Sequence, residues 1–338
     1  MAYSLRDILA LRQAWSTATD WWDARVTLGT GRADTLSHSG GHHLILGLGG
    51  DDIITVQGVY QGLGNAVFGG SGADSVTVLG HRNLVSGDAG HDTIHLGSLM
   101  REESNHNIVL GGAGHDEITV FGRDNVIAGG GGNDRIVAQG WGGHLDKIDT
   151  TIDGGSGDDW ISASGVGVHV LGGAGADHIL SQSGTLDPVG TAQTLSGGRG
   201  VDSFTIHTDS SLLVENHFER TIAEGSSISG LFTVITDYEA GETIDIGQAG
   251  NNRHTSYITV GGSNPEEDPI RLAAHTHAIL KGDMTEPGLF VVDEGGDDLI
   301  IVYNAADNPV DPARGSLVLQ DYAGEITIRS LGDDAIIA

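Results

Sequence analysis

The chain has 338 residues, more than one typical domain, and sets 46 acidic residues against 16 basic ones for a formal charge of −30. That balance argues against nucleic acid or an anionic membrane as partner and makes cations the natural ones. The absence of cysteine rules out a disulfide framework and thiol-based zinc or redox chemistry, and 55 glycines without a three-residue period mark turns repeated many times.

In chain order, Ser4 followed by Leu5, Ile8, Leu9, Trp15, Ala18 and Trp22 predicts an N-capped amphipathic helix over residues 1–24. It would cover the open end of the repeats that begin at Gly29. Arg6 and Asp7 break any apolar run near Met1, so no cleavable-signal core is present, and no 18-residue apolar stretch suggests membrane insertion. Export would need another route.

From Gly29 onward a nine-residue pattern recurs, GGxGxDxUx with U apolar. Its aspartates are Asp34, Asp52, Asp74, Asp92, Asp116, Asp134, Asp159, Asp177 and Asp202, at steps of 18, 22, 18, 24, 18, 25, 18 and 25 residues. Eighteen is two nines, and the longer steps carry insertions of 4 to 7 residues. Nine residues before most aspartates stands a weaker Asn turn, at Asn65, Asn83, Asn107 and Asn125; His43, Thr150, Val168 and Gln193 take its place elsewhere. After the aspartates, apolar residues alternate, as in Ile54 and Val56, Val76 and Val78, Ile94 and Leu96, Ile118 and Val120, Phe204 and Ile206. After the Asn turns come Val67, Val85, Val109, Ile127, Ile152, Val170 and Leu195. These patterns predict an all-β fold: a right-handed parallel β-roll, or β-solenoid, with 18-residue coils over residues 25–206, two thin sheets facing each other and an Asp edge opposite an Asn edge.

Glycines at the first, second and fourth positions permit backbone angles closed to other residues, so each turn can aim its carbonyls at one point, and the sixth-position Asp adds a carboxylate. Calcium accepts six to eight mixed oxygen ligands, so two stacked turns can share one ion; zinc would want His or Cys. Carboxylates stacked at about 4.8 Å repel by roughly 3 kcal/mol per neighbouring pair at an effective dielectric of 20. Filling at most about eight gaps with Ca2+ would bring −30 to about −14, so binding and folding should be one event.

Over residues 29–206 the pattern resembles the RTX repeats of proteins exported by type I secretion. The resemblance implies calcium held by the second- and fourth-position carbonyls and the sixth-position carboxylate, an unfolded chain in the low-calcium cytosol, and folding outside. On this sequence those ligands are Gly50 and Asp52; Gly70, Gly72 and Asp74; Gly90 and Asp92; Gly112, Gly114 and Asp116; Gly130, Gly132 and Asp134; Gly155, Gly157 and Asp159; Gly173, Gly175 and Asp177; Gly198, Gly200 and Asp202. The turn of Asp52 departs from the pattern at Leu48, and that of Asp92 at Asp88 and Ala89.

Residues 207–338 predict a β-rich cap with strands near 231–235, 290–292, 299–303, 316–319 and 325–328. Phe232 to Tyr238 followed by Glu242 to Ile246 is similar to the segment that closes the roll in serralysin-like proteins, and Asp334 to Ala338 to their C-terminal export signal; an ordinary edge strand is the alternative. Asp293 to Ile301 faintly echoes the calcium motif.

Catalytic signatures are missing. There is no HExxH or GxSxG motif, Gly40 and Gly41 deny His38, His42 and His43 a helix, and solvated or edge histidines fit these and the pair His275 and His277 better than zinc. Arg135, Trp160 and His178 form no obvious lyase cluster, and Thr55, Thr77, His95 and Thr119 are too mixed for ice binding. On the Asn-side strands the outward residues Phe68, Leu84, Ile108, Leu110, Val126 and Leu171 are apolar, so that face should be covered by the C-terminal region or by a second subunit. The sequence points to a non-enzymatic, calcium-dependent structural, self-assembling or adhesive protein, secreted to the extracellular medium or cell surface. A carbohydrate-binding β-roll module, or the export part of a larger enzyme, are the alternatives.

Overall fold

A computed structural model describes residues 25–57, 64–97, 104–140, 148–184, 190–209, 213–215, 227–229, 231–239, 241–245, 259–260, 270–271, 276–286, 289–293, 295–304, 315–322, 328–331 and 334–337. The helix expected over residues 1–24 lies outside these residues. Among the described residues the regular structure is all β, a parallel β-solenoid with no helix. The chain divides into two compact units, residues 1–137 and 138–338.

In the first unit each coil has one strand leading into the Asp turn and one leaving it. Lead-in strands His43–Gly49, Ala66–Ser71, Leu84–Ala89 and Ile108–Ala113 pair in parallel. So do the lead-out strands Thr35–Ser39, Ile53–Gln57, Ser75–Leu79, Thr93–Leu96 and Glu117–Phe121. Ile53 stands beside Ser75 and Thr93 beside Glu117, so the longer steps leave strand register intact. Their extra residues fall between the lead-out strand and the next Asn turn.

The alternation expected from the sequence is the core. Ile54, Val56, Val76, Val78, Ile94, Leu96, Ile118 and Val120 from the lead-out strands, and Val67, Val85, Val109 and Ile127 from the lead-in strands, are buried almost completely. Each such burial contributes about 1.5–3 kcal/mol. On the outward lead-in face some apolar residues are exposed within this single chain. Val126 is 47% exposed in this unit, and Leu171 is 45% exposed in the other.

Two physical demands explain the glycines. At the second and fourth positions φ is strongly positive, as at Gly130 (117°) and Gly132 (118°), and a Cβ there would fall on the carbonyl oxygen of the equivalent residue one coil back. The first position needs space instead: at Gly111 a Cβ would meet Asp116 Oδ2 and lie 2.5 Å from the carbonyl oxygen of Gly129. Leu48 and Asp88 hold the second position without being glycine, at φ of 80° and 73°. A bulky residue there costs roughly 1–2 kcal/mol. Ala89 stands at the third position, which takes any residue and is no departure.

The second unit repeats the scheme with lead-in strands Thr151–Ser156, Val168–Ala174 and Gly190–Arg199, and lead-out strands Trp160–Ser164, His178–Gly184 and Ser203–Asp209. The closing segment adds another coil, because Leu231–Ile235 pairs in parallel with Gly190–Arg199, and Thr243–Asp245 with Ser203–Asp209. Beyond it the chain turns antiparallel. Strands Thr276–Glu286, Leu289–Val292, Asp298–Asn304 and Gly315–Leu319 form a sheet whose core is Phe232, Val234, Phe290, Ile300, Val302 and Val318. The tail, Asp334–Ile337, lies between Thr243–Asp245 and Ile328–Leu331, antiparallel to both.

Replacing Gly111 by Ala should lower stability by about 1–3 kcal/mol, because backbone and a buried carboxylate must move aside. Gly31→Ala, where a Cβ meets nothing within 4 Å, should change it by less than about 0.5 kcal/mol. Thermal melts of the two variants check this contrast.

Candidate functional site: the aspartate ladder

The lead-out strand begins one residue after each aspartate, which turns the Asp side chain back into the edge of the stack. In the first unit the N–H of Asp34 donates to Oδ1 of Asp52, and the same bond runs from Asp52 to Asp74, Asp74 to Asp92, Asp92 to Asp116 and Asp116 to Asp134, each at 2.8 Å. In the second unit it runs from Asp159 to Asp177 and from Asp177 to Asp202, also at 2.8 Å. From Asp52 onward these carboxylates are no more than 3% exposed.

The second oxygen is the unusual one. At Asp52, Asp74, Asp92, Asp116 and Asp177, Oδ2 is buried and has no hydrogen-bond partner. Leaving a buried acceptor unsatisfied costs about 1–3 kcal/mol, and more for a charged group. Beside it lies another acceptor. The point where a Cβ of Gly69 would sit adjoins Asp74 Oδ2 and lies 2.8 Å from the carbonyl oxygen of Gly87, one coil on; at Gly87 the pair is Asp92 Oδ2 and, at 2.7 Å, Gly111. Oxygens from two neighbouring coils thus border the same space beside the first-position glycine.

Three contrasts within the chain show that this is not a general property of the turns. On the opposite edge Asn65, Asn83, Asn107 and Asn125 form a ladder with the same backbone bond, from Asn65 to Asn83 at 2.8 Å for example, but there the amide also donates, Asn83 Nδ2 to Asn107 Oδ1 at 3.0 Å. At Asp34, Oδ2 accepts from the N–H and hydroxyl of Thr30, so the first rung is closed. Within the faint motif echo, Asp298 is 5% exposed and both oxygens are taken, by the N–H of Met284 at 2.6 Å and of Asp321 at 2.8 Å. It ties its own strand to Thr276–Glu286 and to the turn after Gly315–Leu319.

Burial pushes the carboxyls of Asp74, Asp92, Asp116, Asp134 and Asp177 up to about 6, with repulsion from neighbouring rungs adding at Asp74, Asp92, Asp116 and Asp177. Among the described residues no three His, Asp or Glu side chains gather at one point, so a cation here would draw on backbone oxygens. The carbonyls of Gly112 and Gly114, and their counterparts at the second and fourth positions of other turns, abut the Cα of the same position one coil on.

Sequence reasoning missed three contributors. The first-position carbonyls, such as Gly87 and Gly111, are those beside Oδ2. Glu242 takes the rung after Asp202: Thr243 lies beside Ser203, Glu242 is 1% exposed, and burial pushes its carboxyl up to about 7. Asp237 caps the preceding turn, accepting from the N–H groups of Gly197 and Gly198 at 3.0 Å and the hydroxyl of Ser196 at 2.6 Å. The spacing of Asp237 and Glu242 from Asp202 is unlike any other step, which hid them.

Other sequence candidates separate. His43 is buried rather than solvated, its ring stacked on His38 with centroids 3.5 Å apart. Burial, with the nearby Arg25 charge, holds both imidazoles below their usual pKa. His275 lies outside the described residues. In the first unit Arg135 approaches Glu117 at 3.7 Å; in the second, Trp160 stacks on His178 at 6.5 Å. No protein-family model and no curated protein matches the chain.

The raised carboxyls fix a pH dependence. The metal-free fold binds more protons than the unfolded chain between about pH 4 and 6. The stability they give is full below the unfolded value near 4 and is lost as pH rises through about 6. Melts in metal-free buffer should show a midpoint that falls from pH 4 to pH 7. A midpoint rising across that interval would contradict the ladder's electrostatics.

Proposed function

We propose that the protein is a calcium-binding β-solenoid of the RTX kind, folding as calcium fills the aspartate edge. The observation that carries this reading is the set of buried Oδ2 atoms without a partner, at Asp52, Asp74, Asp92, Asp116 and Asp177, each of which borders, together with a carbonyl oxygen of the next coil, the space beside a first-position glycine. A hard divalent cation suits that mixture of carboxylate and carbonyl oxygen, with ligands drawn from two coils per ion. The residues that would hold it are the aspartates from Asp52 to Asp202 with the first-position carbonyls, joined by the second- and fourth-position carbonyls where the turn brings them round. The stack would then be a register of charge neutralisation. Calcium removes the repulsion that opposes folding at neutral pH and competes with the protons that would otherwise sit on the ladder.

Given a calcium-poor cytosol and a calcium-rich exterior, such a chain would leave the cell unfolded, through type I secretion machinery, and fold outside. Its role would be structural, self-assembling or adhesive rather than enzymatic. The open apolar residues Leu48, Val126 and Leu171 support contact with another molecule. A glycan-binding module is the second reading, favoured by the Trp160 ring on His178, whose Nδ1 lies 2.9 Å from Ser203 Oγ on an outward sheet face. Sedimentation in calcium separates the two: concentration-dependent assembly supports the first, and a monomer that binds oligosaccharide supports the second.

Two measurements test calcium coupling. Chelation at pH 7.5 should abolish the far-ultraviolet β signal, and calcium should restore it; an unchanged spectrum would sink the reading. Asp116→Asn keeps an acceptor for the Asp92 N–H while removing the charge. It should stabilise the metal-free fold by about 1–3 kcal/mol and bind fewer calcium ions per chain in a calorimetric titration. Unchanged stoichiometry would make the ladder a purely structural device.

A further inference from the structure

The two residues that break the glycine rule at the second position stand on either side of a glycine that keeps it. Leu48 lies beside Gly70, and Gly70 beside Asp88, in three successive coils. Their side chains project from the outward lead-in face, while Gly70 leaves the strand between them bare. A cavity of about 350 Å³ occupies the gap, open to solvent and lined by Leu46, Leu48, Phe68, Gly70 and Asp88. That is the lower end of the size range of small-ligand pockets.

Both flanking residues hold positive φ, where the rest of the ladder uses glycine. Backbone strain kept at two positions that line one pocket is the pattern expected where the side chains serve a ligand. The lining is chemically divided. Leu46, Leu48 and Phe68 give an apolar floor and one wall; the other wall is the Asp88 carboxylate, whose Oδ1 accepts from the Ser86 hydroxyl at 2.5 Å. No cation among the described residues forms an ion pair with this carboxylate.

The geometry points to a binding site for an organic cation: a protonated amine or guanidinium on a short apolar stem, the stem on Phe68 and the two leucines, the charge against Asp88. The lining side chains lie on the outward lead-in face; Leu48, Gly70 and Asp88 hold second positions of ladder turns and the Asp88 charge is felt at Asp92, but none of the lining side chains is a carboxylate rung of the ladder. Free alkylamines and the Lys or Arg side chain of a polypeptide share this chemistry.

The test is a methyl and amide NMR titration of the full chain, in saturating calcium, with n-hexylammonium, with n-hexanol, and with the peptide acetyl-Leu-Arg-Leu-amide. Saturable shifts at Leu46, Phe68 and Gly70 are expected with at least one cation, and binding at least about fivefold weaker for the neutral alcohol. Whichever cation binds more tightly identifies the source. Asp88→Asn, which tolerates the same backbone angles, should weaken cation binding about fivefold, and Leu48→Gly about tenfold. Both variants relieve or preserve the backbone, so their melting temperatures should not fall. No saturable shift with either cation, or equal binding by Asp88→Asn, would overturn the assignment; a failure of calcium to change the ladder would leave these shifts untouched.

Discussion

A buried carboxylate oxygen with no donor, found at Asp52, Asp74, Asp92, Asp116 and Asp177, is the constraint on which the rest of the molecule turns. Each coil brings another negative group to within about 4.8 Å of the last, and the backbone can satisfy only one oxygen of each. The opposite edge supplies an internal control. There Asn makes the same main-chain bond, spends its amide on the next rung, and leaves no charge behind. One stack thus has a neutral edge that closes on itself and an acidic edge that does not.

The glycine pattern follows from that edge. Oδ2 of each aspartate occupies the space that a side chain at the first position would need, so this glycine is fixed by the carboxylate rather than by its own backbone angles. The second and fourth positions are fixed by positive φ and by a carbonyl one coil back. Insertions are tolerated because they enter far from these turns, after the lead-out strand. At the C-terminal end the scheme is closed by different residues: Asp237 takes the turn's free N–H groups, and Glu242, longer than Asp, takes the next rung, its own carboxylate accepting from the Glu239 N–H.

Much of this was legible in the sequence, because one period governs strand, turn and core together. Ile118 and Val120, or Val85 and Val109, could be placed inside from alternation alone, and the strands around Phe290, Ile300 and Val318 from β-branched runs between turn residues. What escaped were properties that exist only between coils. Nothing in the local sequence of Gly69 says that Gly87 lies against it, and Glu242 is recognisable as a rung only once Thr243 is seen beside Ser203. Asp298 resembled a ligand by motif, yet the N–H groups of Met284 in the neighbouring strand and of Asp321 in the turn after Gly315–Leu319 use up its carboxylate. The outward apolar residues read as a face to be covered by the C-terminal region or a second subunit, and within this single chain Val126 and Leu171 are exposed.

The most direct measurement is a crystal grown in calcium, with anomalous scattering recorded to locate the ions. A file of peaks is expected along the aspartate edge, between Oδ2 of one rung and the first-position carbonyl of the next coil, beginning after Asp34 and with none beside Asn83 or Asn107. An aspartate edge without peaks, its Oδ2 atoms bound only to water, would contradict calcium binding at the ladder.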